Sequence, residues 1–427
     1  MPRSPRGDGL AGDGAGPGFG GILRTFRQRN FRIYITGNAI SLIGTWMQRT
    51  AVGWLTWELT ESGFWLGLVA CADLLPAVFI GPFGGVLADR FDRLRIVMVA
   101  QTVALLQAAT LFALTAGGVI GVELLVLLVL VHGVAMGFNQ PSRLALMPSL
   151  VPTAQLSTGI AINSVAFNLA RFIGPAVAGL LIVTVGVAGA FAANALSFLV
   201  FLAALSRLRL TTTAEGAPPL RSSILAQLAE GIGYALRHPG IGPLLLLFSA
   251  LSLGVRPFIE LMPGFAAAVF QGGAATLALL SSTVGLGAVA GGLWIARRGG
   301  GGLTRLILAM SLLAILAILA FVATDHLWLA LASVALAGLT LVVGAVSMQT
   351  LMQLSVEGAL RGRVLSFYGI VFIGGPAAGA LIIGALSDWI GLRLPLAGGA
   401  LLVLLVWLWI WRRRDRIAAA LEPPTAG

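Results

Sequence analysis

The stretch GGVLADRFDRLR, which runs from Gly84 to Arg95, decides the fold. A glycine-rich apolar segment ends inside it, charged residues follow within seven positions, and a second long apolar segment begins at once. The charged residues are Asp89, Arg90, Asp92, Arg93 and Arg95. Because hydrocarbon offers no hydrogen-bond partners to so short and charged a turn, the stretch must join two membrane helices at an aqueous face. Its three arginines predict that this face is cytoplasmic.

The composition is that of an integral membrane protein. Of 427 residues, 58% are hydrophobic and 10% are charged, whereas ordinary soluble proteins carry about 25% charged residues. The single cysteine, Cys71, excludes disulfides and a cysteine metal cluster, and we expect no metal and no cofactor. The chain has no lysine, so it lacks the phosphate-binding loop that nucleotide hydrolysis needs. We therefore expect no enzyme activity and an ion gradient as the energy source.

The apolar segments predict twelve membrane helices, since one span takes about 20 apolar residues. The predicted spans are 33–57, 64–87, 95–116, 121–141, 156–184, 189–207, 241–267, 275–296, 304–323, 327–352, 364–386 and 394–411. We expect a disordered cytoplasmic tail, a six-helix half, a cytoplasmic linker with an amphipathic helix, a second six-helix half and a second cytoplasmic tail. Their predicted bounds are 1–30, 31–208, 209–240, 241–411 and 412–427.

The arginines decide the predicted orientation. With the amino terminus inside, 23 of the 27 basic residues fall in cytoplasmic segments, one (Arg393) falls outside, and three lie within helices. Cytoplasmic loops of membrane proteins carry such an excess, so both termini are predicted to be cytoplasmic. The same distribution means that the net charge of +11 reflects topology, and we expect no binding to nucleic acid.

The two halves of the chain repeat each other. Gly84-Gly85 returns as Gly291-Gly292 at an offset of 207, Leu146-Met147 as Leu351-Met352 at 205, and Gly174-Pro175 as Gly375-Pro376 at 201. Three echoes in the same order predict two parallel six-helix halves with a substrate site between them at mid-membrane.

The charged loop also carries a family resemblance. The stretch resembles the signature of the major facilitator superfamily for the loop between helices two and three, and the matching positions are held by Gly85, Asp89, Arg90, Arg93 and Arg95. Asp92, where the general pattern prefers glycine, is similar to the loop of the enterobactin-exporter-like and macrolide-efflux-like branch. The resemblance extends through TWMQRTAVGWLTWELT (45–60), NQPSRLALMPSLVP (139–152) and ARFIGPAVAG (170–179).

The resemblance implies an all-α fold of twelve helices in two halves that rock about a central site. It implies a monomeric transporter of the bacterial inner membrane that exports a siderophore or other secondary metabolite through the lipid bilayer in exchange for protons. Efflux of hydrophobic drugs such as macrolides is the alternative within this fold. A membrane sensor or assembly partner that moves nothing is the alternative from another class, and it would show a filled, uncharged centre.

Nine residues have gating roles that the resemblance implies. Asp89, with Gly85, Arg90 and Arg93, would hold the cytoplasmic side closed at a helix amino terminus of the other half, whose dipole attracts a carboxylate. The Gly-Pro motifs would seal one side of the pathway by close packing between the halves; they contain Gly174, Pro175, Gly179, Gly375 and Pro376. The alternatives are a turn that only fixes topology and glycines and prolines that membrane helices generally tolerate.

Six charged residues or histidines lie well inside the predicted helices, away from their ends. They are candidates for substrate binding and translocation, because burying a charge there costs about 2.5–3.5 kcal/mol; they are Arg49, Asp73, His132, Arg171, Arg256 and Glu260. We expect an Arg49–Asp73 pair at matching depth and a local Arg256–Glu260 pair one turn apart. We expect His132 to form a hydrogen bond within its own helix. Asp73 and Glu260 are the candidates for proton coupling, and purely structural pairs are the alternative.

Arg49 and Arg256 are separated by 207, the offset that also relates Gly85 to Gly292. We predict that they face the central cavity as a cationic clamp for carboxylates or catecholates. Arg171, at a similar depth, either adds to the clamp or packs against the Gly-Pro motif. The alternative is that each arginine is neutralised by its own acid, which would leave an apolar drug site.

Overall fold

The computed structural model describes residues 19–210, 224–298, 301–356 and 358–422, and most of them are helical. The helices in chain order are α1 (Phe19–Arg27), α2 (Arg29–Thr60), α3 (Gly63–Arg90), α4 (Arg93–Ala116), α5 (Val122–Leu146), α6 (Leu156–Leu205), α7 (Ile224–Arg237), α8 (Ile241–Gly254), α9 (Met262–Gly264), α10 (Ala274–Arg298), α11 (Leu303–Ala323), α12 (Leu327–Ser355), α13 (Gly358–Ile390), α14 (Arg393–Trp411) and α15 (Arg414–Leu421).

These helices provide twelve membrane spans. Ten stretches of the described chain are long and apolar enough to cross a membrane. One of them contains α6, which changes direction at Gly186, where φ is 79°, and therefore makes two spans. Helix α2 adds the twelfth: it has 32 residues and packs along α6, and polar residues lower its hydropathy. The prediction of an all-α membrane protein with twelve helices is confirmed.

The seventh span is not the single helix that was predicted over 241–267. Helix α8 ends at Gly254, and the chain continues through a 3₁₀-helix (Arg256–Ile259), the single turn α9 and a π-helix (Phe265–Val269). Pro257 and Pro263 lie in this segment, and a proline supplies no backbone N–H and clashes with the preceding turn. Side chains four residues apart therefore do not face each other here as they would on an α-helix.

Two predicted polar segments contain helices. Helix α1 lies in the tail that was predicted to be disordered over 1–30, so that prediction is wrong from Phe19 to Arg27; residues 1–18 lie outside the described chain. Helix α7 lies within the predicted linker 209–240, and its Glu230 forms an ion pair with Arg363 of α13. Residues 211–223 of that linker and 423–427 of the second tail also lie outside the described residues.

Equivalent glycines pack the two halves in the same way. A Cβ atom on Gly133 of α5 would lie 2.5 Å from the carbonyl oxygen of Ala72 in α3. A Cβ atom on Gly338 of α12 would lie 2.2 Å from the carbonyl oxygen of Val284 in α10. Only glycine allows two backbones to approach so closely. Helix α5 therefore crosses α3 as α12 crosses α10, which is the parallel repeat that the sequence predicts.

The two halves meet along α3 and α13, and along α6 and α10. A Cβ atom on Gly67 of α3 would lie 2.5 Å from the carbonyl oxygen of Ala380 in α13, and one on Gly384 would lie 2.1 Å from that of Gly63. These backbone contacts lie towards the end of the bundle opposite the charged loop. We call the end of the bundle that carries Gly63 the outer end.

A carboxylate of one half caps a helix of the other at the outer end. Asp388 of α13 accepts hydrogen bonds from the Ser62 hydroxyl (2.6 Å) and from the Gly63 N–H (2.7 Å), which begins α3. A negative charge is stabilised at a helix amino terminus by the free N–H groups and the helix dipole. Together with the glycine contacts, this cap holds α3 of the first half against α13 of the second at the outer end.

Candidate functional site

A cavity of about 440 Å³ lies between the halves, mostly against the second one. Small-molecule sites commonly occupy about 300–1,000 Å³. Helix α6 of the first half contributes Phe167, Asn168 and Arg171, and the remaining lining comes from α8 and the following turn, α10, α11, α12 and α13. The lining is predominantly apolar and contains two arginines, Arg171 and Arg256.

The two arginines of the cavity have no acidic partner in the described part of the chain. The Nη1 atom of Arg256 donates to the carbonyl oxygen of Phe372 (2.8 Å), and its guanidinium lies 4.2 Å from the centre of the Phe372 ring. The Arg171 guanidinium lies 5.5 Å from the centre of the Trp46 ring. Positive charges at mid-membrane are costly unless they are compensated. The cavity is therefore suited to a negatively charged ligand.

Three stacked aromatic rings line the same cavity beside Arg256. The ring centres of Phe248 and Tyr368 are 4.6 Å apart with planes 21° from parallel, and those of Tyr368 and Phe372 are 5.9 Å apart. The Tyr368 hydroxyl donates to the carbonyl oxygen of Ala345 (3.0 Å), which fixes the ring. No local sequence pattern indicates this stack, because its rings come from α8 and α13, which are distant in the chain.

The other four ionisable residues form one cluster that joins the two halves. The Nη2 atom of Arg49 lies 2.7 Å from Glu260 Oε1, and its Nε lies 3.8 Å from Asp73 Oδ2. His132 Nδ1 lies 3.2 Å from Asp73 Oδ1. Arg49, Asp73 and His132 belong to the first half, and Glu260 belongs to the second. We call these four residues the Arg49 cluster.

The structure corrects two of the expected pairings. Arg49 and Asp73 lie close together as expected, but Glu260 contacts Arg49 and not Arg256. The break after Gly254 removes the α-helical spacing on which the local Arg256–Glu260 pair depended. His132 contacts Asp73 of α3 and not a group within its own helix.

The structure also changes the membership of the predicted clamp. Arg49 has two carboxylate neighbours and does not line the cavity, whereas Arg256 does. Arg171, and not Arg49, is the arginine of the first half that lines the cavity together with Arg256. The Trp46 ring links the cavity to the Arg49 cluster, since the guanidiniums of Arg49 and Arg171 each lie 5.5 Å from its centre.

The charged loop has a defined local geometry. Asp92 caps α4 by accepting from the N–H groups of Leu94 (2.9 Å) and Arg95 (3.3 Å), which explains an acid where the general pattern has glycine. Arg93 donates to the carbonyl oxygens of Ala88 (3.2 Å) and Ala145 (3.0 Å), which ties the loop to the end of α5. Arg90 is exposed. The Asp89 side chain lies outside the described atoms, so its gating role stays a prediction.

Among the predicted gating glycines, one contacts the opposite half. A Cβ atom on Gly179 would lie 2.2 Å from Cβ of Ala278 in α10. Gly174 instead approaches Trp46 of its own half, and Gly375 approaches Ser252 of its own half. Gly85 has nothing within 4 Å. Pro175 lies inside α6 and Pro376 inside α13, each directly after its glycine.

Sequence comparisons find similar proteins among named membrane exporters. A family model described as transmembrane secretion effector matches residues 21–423. The enterobactin exporter of Escherichia coli is 27% identical over 371 residues, which cover 84% of this chain and 85% of that protein. Macrolide efflux protein A of Streptococcus pyogenes is 23% identical over 257 residues, which cover 60% of this chain and 64% of that protein, less than two thirds of its length.

Solved structures share the fold at low sequence identity. A bacterial homologue of the human lysosomal transporter Spinster, in an inward-facing and unoccupied conformation, has a TM-score of 0.67 at 15% identity. The match covers 92% of this chain and 99% of that one.

The family match over residues 21–423, together with twelve helices in two repeated halves, identifies a multi-pass membrane transporter of the major facilitator superfamily. Within that superfamily, the chain belongs to the transmembrane secretion effector family. The family resemblance of the charged loop is thereby confirmed.

Proposed function

We propose that this protein is a secondary active transporter of a bacterial inner membrane that exports a small anionic molecule, a siderophore or other secondary metabolite. Export occurs by alternating access and in exchange for protons. The observation that carries the proposal is the pair Arg171 and Arg256, which line one cavity from opposite halves with no acid within 4 Å in the described chain. The 27% identity to an enterobactin exporter supports the same direction of transport.

The chemistry of the cavity supports an anion that also carries an aromatic or other flat apolar group. Guanidiniums bind carboxylates and catecholate oxygens through charge-assisted, bidentate hydrogen bonds. The rings of Phe248, Tyr368 and Phe372 offer a stacking surface beside Arg256. Because the two arginines belong to different halves, a bound anion touches both and its affinity depends on how the halves are arranged.

Alternating access is supported by the closed outer end. The Asp388 cap and the contacts of Gly67 and Gly384 hold the halves together there. A rocking motion that separates them would expose the cavity to the outside. Substrate would then bind from the cytoplasm in the state described and leave after the outer end opens.

Efflux of an uncharged hydrophobic drug is the second candidate, favoured by the mainly apolar lining and by the match to a macrolide efflux protein. The two arginines argue against it, because a neutral ligand would leave their charges uncompensated. A sensor that moves nothing would have a filled, uncharged centre, and the cavity with its arginines disfavours that role.

Transport into inverted membrane vesicles tests the proposal. With an acidic lumen, a catecholate siderophore should accumulate inside, the lumen should lose protons as it does so, and a protonophore should stop both. Accumulation of a macrolide without any catecholate or carboxylate would contradict the proposal and support drug efflux. If the protein transports none of these compounds, the result would support the alternative of a sensor that moves nothing.

The proposed orientation makes a separate prediction. On a Cys71→Ala background, a cysteine at Glu61, beside the outer end, should react with a membrane-impermeant maleimide in intact cells. A cysteine at the exposed Arg416 of α15 should react only after the cells are opened. Reaction of both positions from the same side would overturn the topology with cytoplasmic termini.

A further inference from the structure

The Arg49 cluster shares one positive charge between two carboxylates. Arg49 contacts Glu260 across the boundary between the halves (2.7 Å) and Asp73 within its own half (3.8 Å). The two contacts compete for one guanidinium, because movement of Arg49 towards one carboxylate weakens its attraction to the other. The Arg49–Glu260 contact is therefore an ion pair between the halves whose strength depends on Asp73.

His132 is placed to control Asp73. A carboxylate only accepts hydrogen bonds, so the neutral ring must carry its proton on Nδ1, which lies 3.2 Å from Asp73 Oδ1. The Nε2 atom then holds a free lone pair, and it has no hydrogen-bond partner among the described residues although only 8% of the residue is exposed. A buried, unpartnered basic nitrogen beside a carboxylate is a place where one proton can bind.

We propose that His132 and Asp73 form the proton-binding site of this transporter, and that Arg49 transmits its occupancy to Glu260. One proton binds to Nε2 and converts the His132 ring to an imidazolium. The imidazolium compensates the negative charge of Asp73, so Asp73 attracts Arg49 less and Arg49 binds Glu260 more strongly. The outer end is then held closed. When the same proton leaves for the cytoplasm, Asp73 draws Arg49 back, the pair between the halves weakens and the outer end opens.

The sign of this coupling is the one that proton antiport requires. Protonation favours the state closed at the outer end, so a proton taken up outside is carried to the inside. Loss of the proton favours reopening, which is the step that carries substrate out. The proposal rests on the proposed exchange of substrate for protons and adds the residues that bind the proton.

The surroundings contain few other charged or titratable groups. Around His132 and Asp73, neither α4 between Ile96 and Ala116 nor α13 between Val364 and Ser387 has a charged residue. Near Arg49 and Glu260 are the thiol of Cys71 and the guanidiniums of Arg171 and Arg256. The two arginines belong to the cavity, so a bound anion and a bound proton act on neighbouring groups and not on the same one.

Spin labels on the outer loops test the proposal without any substrate. Val119 of the first half and Trp328 of the second are exposed near the outer end, and cysteines there, on a Cys71→Ala background, report opening as a longer distance in pulsed electron resonance on protein in nanodiscs. Histidine changes charge between about pH 5 and about pH 8.5. In the parent, raising the pH over this range should lower the ratio of closed to open molecules at least about fivefold.

The variants separate the steps of the mechanism. In Asp73→Asn, the neutral amide cannot draw Arg49 away from Glu260, so the outer end should stay closed at every pH. In Glu260→Gln, the ion pair between the halves is lost, so the outer end should stay open. His132→Gln should lose the pH response and match the parent at high pH. Glu123→Gln, an exposed acid at the start of the same helix as His132, should respond as the parent does.

Two results would overturn the proposal: a normal pH response in His132→Gln, or opening of the outer end as the pH falls. Because the measurement needs no substrate, it fails or succeeds independently of export. If the parent shows the pH response but transports no anion, the proposed substrate is refuted. If His132→Gln still exports an anion with release of protons, the proposed proton site is refuted.

Discussion

Replacing Arg256 by glutamine should reduce export of an anionic substrate about 10- to 100-fold and leave export of a neutral compound unchanged. Arg256 is one of two charges in the cavity without an acid within 4 Å in the described chain, and hydrogen bonds to charged groups contribute about 1.5–3 kcal/mol. Glutamine keeps a donor for the Phe372 carbonyl, which Arg256 contacts at 2.8 Å. Concentration-dependent efflux from vesicles measures the change, and Arg171→Gln should act in the same direction.

Arg298→Gln is the matched control for Arg256→Gln. Arg298 is an exposed arginine at the end of α10 that also lies over an aromatic ring, with its guanidinium 5.6 Å from the centre of Trp294. Its replacement should leave export of both substrates unchanged. An equal loss of anionic and neutral substrates in Arg256→Gln, at normal protein levels, would show that the arginine supports the structure of the cavity and does not select charge.

The sequence predicts the fold because its signals are local. A charged turn between two apolar runs and the excess of arginine on one side each follow from a few neighbouring residues, and both lead to twelve helices. The two spans joined in α6 are separated at Gly186, whose φ of 79° is available to glycine. The repeat of glycines required a comparison over 200 residues, but it needed no knowledge of contacts.

The site is less predictable because its pairings cross the boundary between the halves. Arg256 and Glu260 are four residues apart, yet the 3₁₀ turn at Pro257 replaces α-helical spacing and Glu260 meets Arg49 instead. The shared offset of 207 predicts the same membrane depth for Arg49 and Arg256, but depth does not determine which face of a helix lines the cavity. Arg171 faces the cavity because α6 packs against α10 of the other half, a contact without a sequence signal.

Replacing Gly67 by valine should shift the transporter towards the state that is open at the outer end and abolish net export. A Cβ atom at Gly67 would lie 2.5 Å from both the carbonyl oxygen of Ala380 and Cα of Leu381. Both contacts are backbone of α13, which cannot move aside as a side chain can. Overpacking of this kind costs about 1–3 kcal/mol, which corresponds to about a 5- to 150-fold change in the ratio of closed to open molecules. Distances between labels at Val119 and Trp328 would measure that ratio.

Gly81→Val provides the control, because Gly81 belongs to the same helix α3 and a Cβ atom there has nothing within 4 Å. Both variants place the same branched residue in a helix, so any loss of helical propensity is common to them. The difference between them isolates the contact between the halves. If Gly67→Val exports normally and keeps the parent's distance distribution, the packing of α3 against α13 does not hold the outer end closed. The Asp388 cap, which joins the same two helices through hydrogen bonds to Ser62 and Gly63, and the Arg49–Glu260 pair would then be the contacts left to hold it closed.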